Sequence, residues 1–309
     1  MKIALIGGNW FLGSALVPWL KACGREIMIV GRRAKPDVMN TSLSYIQNDC
    51  RNSILLNEQL QDVEEIIDFS YTTTPKTSFD DPISDLLSNL TRAVSVFEAC
   101  RVLPNLKKFI VVSSGGTVYG KRDILPIKET VSTNPISPYG ITKLTIEKYA
   151  HMYQELYNFP MLIARPSNVY GPKDDFDVNQ DFINVSMSQI IRSKIIDVFG
   201  ENGTVRDYLY LDDLAEALLS LLQSGNIGKI YNIGTGIGTN NIELLSAISN
   251  IVNEDGYSLH KKISKSRPFD VPRNILDYSL ITNDTGWQPK TTLEVGLRKT
   301  WNHIKSLNT

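Results

Sequence analysis

The chain has 309 residues, 42% of them apolar and 21% charged, a balance that supports a large buried core and excludes a disordered chain. Lys and Arg number 32 against 33 Asp and Glu, a formal charge of −1, so no bulk electrostatic drive toward nucleic acid or an anionic membrane exists. Three cysteines, Cys23, Cys50 and Cys100, cannot all pair with one another and lack metal-ligand spacing; we expect a reducing cytoplasmic setting, no disulfide scaffold and no metal.

Lys2–Ile6 reads as a strand, followed by a glycine turn and a helix from about Phe11, regular over Leu12–Ala22. The uncharged stretch Ile3–Leu20 could be scored as a membrane anchor, but Gly7, Gly8, Asn9 and Pro18 interrupt it, and a spanning helix needs roughly 20 mostly apolar residues. Glu26–Val30, Glu65–Phe69, Lys108–Ser113 and Met161–Ala164 read as further short buried strands. Between them Ile54–Gln61, Ile83–Arg101 and Tyr139–Tyr157 carry helical spacing. Buried strands alternating with helices predict an α/β fold, a doubly wound parallel (Rossmann) sheet covered on both faces. After Asn168 the loops lengthen, and short helices (Asp181–Ser193, Asp212–Ser224, Asn241–Val252, Leu293–Ser306) mix with isolated strands such as Ile230–Ile233. We therefore expect a dinucleotide-binding domain over residues 1–168 and a smaller α+β substrate domain over 169–309, with an element around 207–235 returned to the first sheet.

Three motifs carry chemistry. Gly7-Gly8-Asn9-Trp10-Phe11-Leu12-Gly13 joins the first strand to the first helix; such glycines turn the chain tightly and bring amide N–H groups and a helix N-terminus to a pyrophosphate. Trp10 is a bulky residue where close backbone approach is expected, and we expect it at negative φ with its indole turned away. Second, the strand ending Ile29-Val30-Gly31 is followed by Arg32 and Arg33. An acidic residue there would suit the ribose of NAD(H), whereas Arg suits a 2′-phosphate, so NADP(H) is favoured and NAD(H) stays possible; a solvated basic turn is the plainer alternative. Third, Tyr139 and Lys143 lie four apart on a helix, hence on one face. A neighbouring ammonium is expected to lower the phenol pKa toward the range useful for proton transfer. About twenty residues upstream, Ser113-Ser114-Gly115-Gly116-Thr117-Val118-Tyr119-Gly120 places hydroxyls at the sheet's carboxyl edge.

Taken in order with Arg165-Pro166-Ser167-Asn168-Val169-Tyr170-Gly171-Pro172, Val198-Phe199-Gly200, Gly203-Thr204-Val205-Arg206-Asp207-Tyr208, Tyr231-Asn232-Ile233-Gly234-Thr235-Gly236 and Gly286-Trp287-Gln288-Pro289, these motifs resemble the extended short-chain dehydrogenase/reductase family of nucleotide-sugar epimerases, dehydratases and reductases. The resemblance implies Tyr139 as acid/base, Lys143 on the nicotinamide ribose, and Thr117 or Ser114 as the hydroxyl beside the reacting sugar oxygen. Gly7, Phe11, Leu12, Gly13 and Pro166 would contact the cofactor and Asp49 its adenine, unless Asp49 is a turn residue. Asn168, Arg206 and Arg267 would hold a substrate diphosphate, with Phe199 beside the base; surface ion pairing is the alternative for the two arginines. Asn89 matches a family Asn near the catalytic helices or ties backbone together. The family also implies a homodimer through a helix bundle that includes residues 83–101 and 139–157.

The departures are equally specific. Gly115 stands where the family usually has Ser or Thr, Asp68–Thr74 replaces the usual His-x-Ala run, and no acidic pair of the dehydratase kind flanks Thr117. The leading expectation is an NADP(H)-dependent reductase of a nucleotide-linked 4-keto-6-deoxy sugar. Its alternative is a nucleotide-sugar 4-epimerase with tightly bound NAD, and an alternative of another class is a non-catalytic nucleotide- or redox-sensing member of the fold.

Overall fold

The structure, a computed structural model, describes residues 1–8, 11–34, 43–173, 181–201, 203–267 and 269–307. Its first half runs β1 (Lys2–Ile6), α1 (Phe11–Ala22), β2 (Glu26–Gly31), β3 (Ser44–Gln47), α2 (Ser53–Gln59), β4 (Glu65–Asp68), α3 (Pro75–Asp80), α4 (Pro82–Cys100), β5 (Lys108–Val112), α5 (Pro138–Tyr157) and β6 (Met161–Pro166). There follow β7 (Asn168–Tyr170), α6 (Phe182–Ile191), β8 (Ile196–Phe199), β9 (Val205–Tyr210), α7 (Leu211–Ser224) and β10 (Ile230–Ile233). The chain closes with β11 (Gly238–Asn240), α8 (Asn241–Asn253), β12 (Lys261–Ser264), β13 (Arg273–Asn274), α9 (Ser279–Thr285) and α10 (Leu293–Ser306). Trp10 lies outside the described residues. Among the described residues no helix is long and apolar enough to cross a membrane.

Seven strands form one parallel sheet in the order β10-β6-β5-β4-β1-β2-β3. All its strands but the edge strand β3 are largely buried, which is why they read as unbroken apolar runs. Alternate residues feed opposite cores: Ile3, Leu5, Ile27, Ile29, Ile110 and Leu162 join one cluster with residues of α1 and α7. Ala4, Ile6, Met28, Val30, Phe109 and Ile163 join the other with residues of α2, α4 and α5, as the two-residue period of a strand requires. Connections leave β1 toward β2 on one side and β4 toward β5 on the other. The gap beyond the carboxyl ends of β1 and β4 is therefore the topological switch point where ligands bind in such sheets.

The second half contributes to both the sheet and a separate core. β10 pairs with β6 from Ile230↔Ile163 to Ile233↔Pro166, and α7 lies against α1. Lys108 of β5 donates its ammonium to the carbonyls of Leu221, Leu222 and Gly225 at 3.1, 2.9 and 2.9 Å, placing a cation at the C-terminal end of α7 where it complements the helix dipole. The remaining elements pack around Tyr170, Ile183, Met187, Val198, Leu244, Ile248, Leu297 and Trp301, beside small sheets formed by β7, β9, β11 and β13 and by β8 and β12.

Candidate active site

A single cleft of about 1500 Å³ runs from the glycine turn after β1, past α5, to residues 196–206 and 267–271. Gly7 follows β1 at φ 73°, a left-handed conformation that suits glycine, and its N–H donates to Val30 O at 2.8 Å. A Cβ on Gly13 would fall 2.3 Å from Gly8 Cα, so only glycine lets α1 start this close to the turn. Phe11, Leu12, Arg32, Arg33, Asp49 and Pro166 also line the cleft. Arg32 and Arg33 are exposed, with their carbonyls accepting from Gln47 Nε2 and Tyr45 OH. Asp49 is exposed and its Oδ1 accepts from Arg51 N at 3.0 Å; it is a turn residue at the rim of the cleft.

Helix α5 is started by Ser137, whose hydroxyl accepts from Gly140 N at 3.2 Å, and by Pro138 in its first turn. Gly140 brings the helix against the Ser113–Gly120 segment: a Cβ there would lie 3.0 Å from Thr117 O and 2.9 Å from Pro135 Cβ. Tyr139 and Ser114 both line the cleft, and Tyr139 N donates to Ser78 Oγ of α3 at 3.1 Å. Thr117 also lines the cleft, and its buried hydroxyl has no hydrogen-bond partner among the described residues.

The spacing of Tyr139 and Lys143 predicts a lowered phenol pKa, and here the structure corrects the sequence reading. Burial raises the Tyr139 phenol above its usual range, Ser114 pulls it partway back, and the Asp85 carboxylate raises it further. The Lys143 ammonium is aimed elsewhere, donating to Val112 O at 2.9 Å and sitting 4.1 Å from the centroid of Tyr71 against 5.9 Å for Tyr139. Burial pushes Lys143 down to about 8, with the Asp68 carboxylate opposing that shift.

Gly115 has a steric cause. A Cβ there would sit 2.4 Å from Leu276 Cδ1 and 2.9 Å from Arg165 O, so the residue faces packed protein and the cleft hydroxyls come from Ser114 and Thr117. Asn89 does tie backbone: its Oδ1 accepts from Thr72 N at 2.8 Å and its Nδ2 donates to Asp85 O at 2.9 Å.

At the far end Asn168, Phe199, Arg206 and Arg267 line the cleft together. The Arg267 guanidinium lies 4.4 Å from the Phe199 ring centroid and pairs with Asp270 through Nε at 2.8 Å and Nη2 at 3.1 Å. Arg206 donates to Val205 O at 3.0 Å, and burial lowers its pKa. The predicted residues thus converge on one cleft, and the ion-pair alternative holds in part for Arg267.

Sequence reasoning missed Tyr71, Asp85 and Arg92. Tyr71 stacks edge-on against Tyr139 at 4.8 Å and donates to Asp85 Oδ1 at 3.2 Å, and Asp85 Oδ2 accepts from Thr142 at 2.7 Å. Asp85, Asn89 and Arg92 are all buried on α4; their i, i+4, i+7 spacing was a legible signal of one polar helix face. Behind the site, Glu147 accepts from Ser113 and from Arg165 Nε at 2.9 Å, and Arg165 Nη1 donates to Tyr119 OH at 2.8 Å.

A model described as the NAD-dependent epimerase/dehydratase family matches residues 3–234. A UDP-glucose 4-epimerase of Mycolicibacterium smegmatis is 30% identical over 308 residues, covering 97% of this chain and 97% of that protein. The UDP-glucose 4-epimerase of Thermotoga maritima, solved with UDP-glucose, superposes with a TM-score of 0.93 at 28% identity over 100% of both chains. That of Thermus thermophilus, solved with NAD, gives 0.90 at 28% identity over 99% of each.

Proposed function

We propose that this enzyme, which belongs to the NAD-dependent epimerase/dehydratase family, inverts C4 of a nucleotide-diphosphate sugar with a retained nicotinamide dinucleotide. The observation that carries the reading is the continuity of the cleft: Tyr139 stands between the glycine turn at one end and Arg206, Arg267 and Phe199 at the other. The end-to-end likeness to two UDP-glucose 4-epimerase structures supports inversion over the net reduction that the sequence reading placed first.

The residues present fit a dinucleotide. Side chains at Gly7, Gly8 and Gly13 would collide with neighbouring backbone or side chains, and the buried hydroxyls of Thr117 and Ser167, which line the cleft, have no partner among the described residues. On this reading residues 1–168, with the returned α7 and β10, hold the dinucleotide through Gly7, Phe11, Leu12, Gly13, Arg32, Arg33, Asp49, Lys143 and Pro166. Residues 169–309, together with Asn168, hold the nucleotide sugar. When bound, the nicotinamide would accept hydride from the sugar carbon and return it.

The chain's own part is proton handling and orientation. Tyr139 exchanges a proton with the C4 oxygen, and Ser114 or Thr117 hydrogen-bonds that oxygen. Arg206 and Arg267 pair with the diphosphate and Phe199 flanks the base. A second reading, NADP(H)-dependent reduction of a 4-keto-6-deoxy sugar, is favoured by one observation: Arg32 and Arg33 follow β2 at the cleft rim, where a 2′-phosphate would lie. The non-catalytic reading loses its support at Gly115, because packing accounts for that residue.

Purified protein is incubated with UDP-glucose and related nucleotide sugars, and separately with NADPH and nucleotide-linked 4-keto-6-deoxy sugars. Isomerisation without net cofactor turnover, lost about 10²–10⁴-fold in Tyr139→Phe with dinucleotide binding retained, is the expected result. Stoichiometric NADPH oxidation without isomerisation would transfer the assignment to the reductase, and inactivity in every arm would refute both.

A further inference from the structure

Helix α4 brings a cation to the cleft that neither reaction reading employs. Arg92 is 9% exposed and lines the cleft together with Gly7, Gly8, Arg32, Cys50 and Tyr71. A guanidinium has five N–H donors and is the side chain best matched to phosphoryl oxygens. Yet among the described residues its side chain makes one hydrogen bond, from Nη2 to Asn89 Oδ1 at 3.5 Å, and its buried Nε makes none. Among the described residues, Asp68 and Asp49 spend oxygens on other donors. Asp68 accepts from the N–H and hydroxyl of Ser70, and Asp49 accepts from Arg51 N.

The charge pattern points the same way. Burial lowers the Arg92 pKa, and Arg32 adds repulsion, against partial relief from Asp68. Arg92 thus lies buried near a second guanidinium, with most of its donors unspent, in a cleft also lined by a glycine turn of the kind that presents amide N–H groups to phosphate. Such a group is costly in the free protein and is balanced when an anion arrives.

We infer that Arg92 is an anion-binding residue of the cleft, reaching from α4 opposite the glycine turn to take a phosphoryl group of the bound dinucleotide. The inference rests on the reading of the cleft as a dinucleotide site. It assigns to this chain a phosphate contact made by a helix remote in sequence from both the glycine turn and Arg32.

The test is Arg92→Met in the full chain, with NAD⁺, NADP⁺ and adenosine titrated calorimetrically into both proteins. Dinucleotide affinity should fall tenfold or more while adenosine affinity is unchanged. Equal loss for NAD⁺ and NADP⁺ assigns Arg92 to the bridging diphosphate, and loss confined to NADP⁺ assigns it to the 2′-phosphate. Melting of the ligand-free proteins separates binding from structure: Arg92→Met should melt at or above wild type, since a buried unpaired charge has gone. Arg92→Lys, which keeps charge but not the fork, should bind between the two and serves if the Met protein does not fold. Both dinucleotides bound within twofold of wild type, or adenosine weakened as much as they are, would overturn the inference. A wild-type protein that binds neither dinucleotide would overturn the underlying reading and this one with it.

Discussion

Adding one methyl group at Gly115 probes why this chain lacks a hydroxyl there. The new Cβ would meet Leu276 Cδ1 at 2.4 Å and Arg165 O at 2.9 Å. The backbone cannot slide away, because Gly115 N donates to Pro166 O at 2.9 Å and Gly115 O accepts from Asn274 Nδ2 at 3.0 Å. Leu276 is fully buried against Val118, Tyr119 and Ile127. Overpacking of this kind costs about 1–3 kcal/mol, against which replacing Gly by Ala in the unfolded chain returns about 0.4–1 kcal/mol. Gly115→Ala should therefore destabilise by roughly 1–2 kcal/mol. Leu276→Ala alone should cost about 2–5 kcal/mol, but it removes the side-chain half of the clash and leaves the Arg165 O contact. In that background Gly115→Ala should cost less than in wild type, a coupling of about 0.5–1 kcal/mol. Urea titrations of the four proteins, followed by fluorescence of the buried Trp287 and Trp301, measure the cycle. A Gly115→Ala protein within about 0.5 kcal/mol of wild type, with additive behaviour in the double variant, would refute the packing argument.

Other expectations follow from the same geometry. Lys143 is pushed down to about 8 from 10.5, so the folded protein binds fewer protons than the unfolded chain between those values, and stability rises with pH across that window. Relative to Lys143→Met, wild type should gain on the order of 1–2 kcal/mol between about pH 8 and about pH 9.5, and a flat difference would show that burial does not depress this amine. Arg32→Ala should narrow any preference for NADP(H) over NAD(H) by about tenfold; equal titration curves for wild type and variant would remove Arg32 from the cofactor site. Glu147→Ala leaves Arg165 buried without its counter-charge and should cost about 3–5 kcal/mol, read as a lowered urea midpoint; a loss under about 1 kcal/mol would mean the pair is relaxed. Ile83 and Leu87 on α4 and Ile141 and Leu156 on α5 are exposed apolar side chains, so Leu87→Glu should convert a dimer to a monomer by light scattering, and a monomeric wild type would discard that interface.

The doubly wound sheet was legible because β1, β4, β5 and β6 are buried runs; the predicted limits of β1 match the observed ones, and those of the other three differ by one or two residues. β3 escaped because only Tyr45 and Ile46 are half-buried there and its two ends are exposed, which leaves no apolar run to read. α3 spans six residues, too few for periodicity, although Thr74 and Pro75 mark its start. In the site, Tyr139 and Lys143 were found because their spacing puts them on one helix face, whereas the acidity of Tyr139 depends on burial, which spacing does not encode. Asp85, Asn89 and Arg92 look like a solvated stripe until α4 is seen to bury that face.

The position of β10 bears on how the molecule comes into being. A nascent chain that has delivered residues through 168 has every strand of the sheet except the outermost one. Until residues 230–233 arrive, the edge of β6 offers unpaired backbone groups, Lys108 lacks the carbonyls it caps, and the face of α1 that meets α7 is bare. Open strand edges of this kind template pairing between chains. An expression fragment ended at residue 168 should therefore be a sticky, aggregation-prone species, whereas one extended past 233 carries the whole sheet with its outer strand in place.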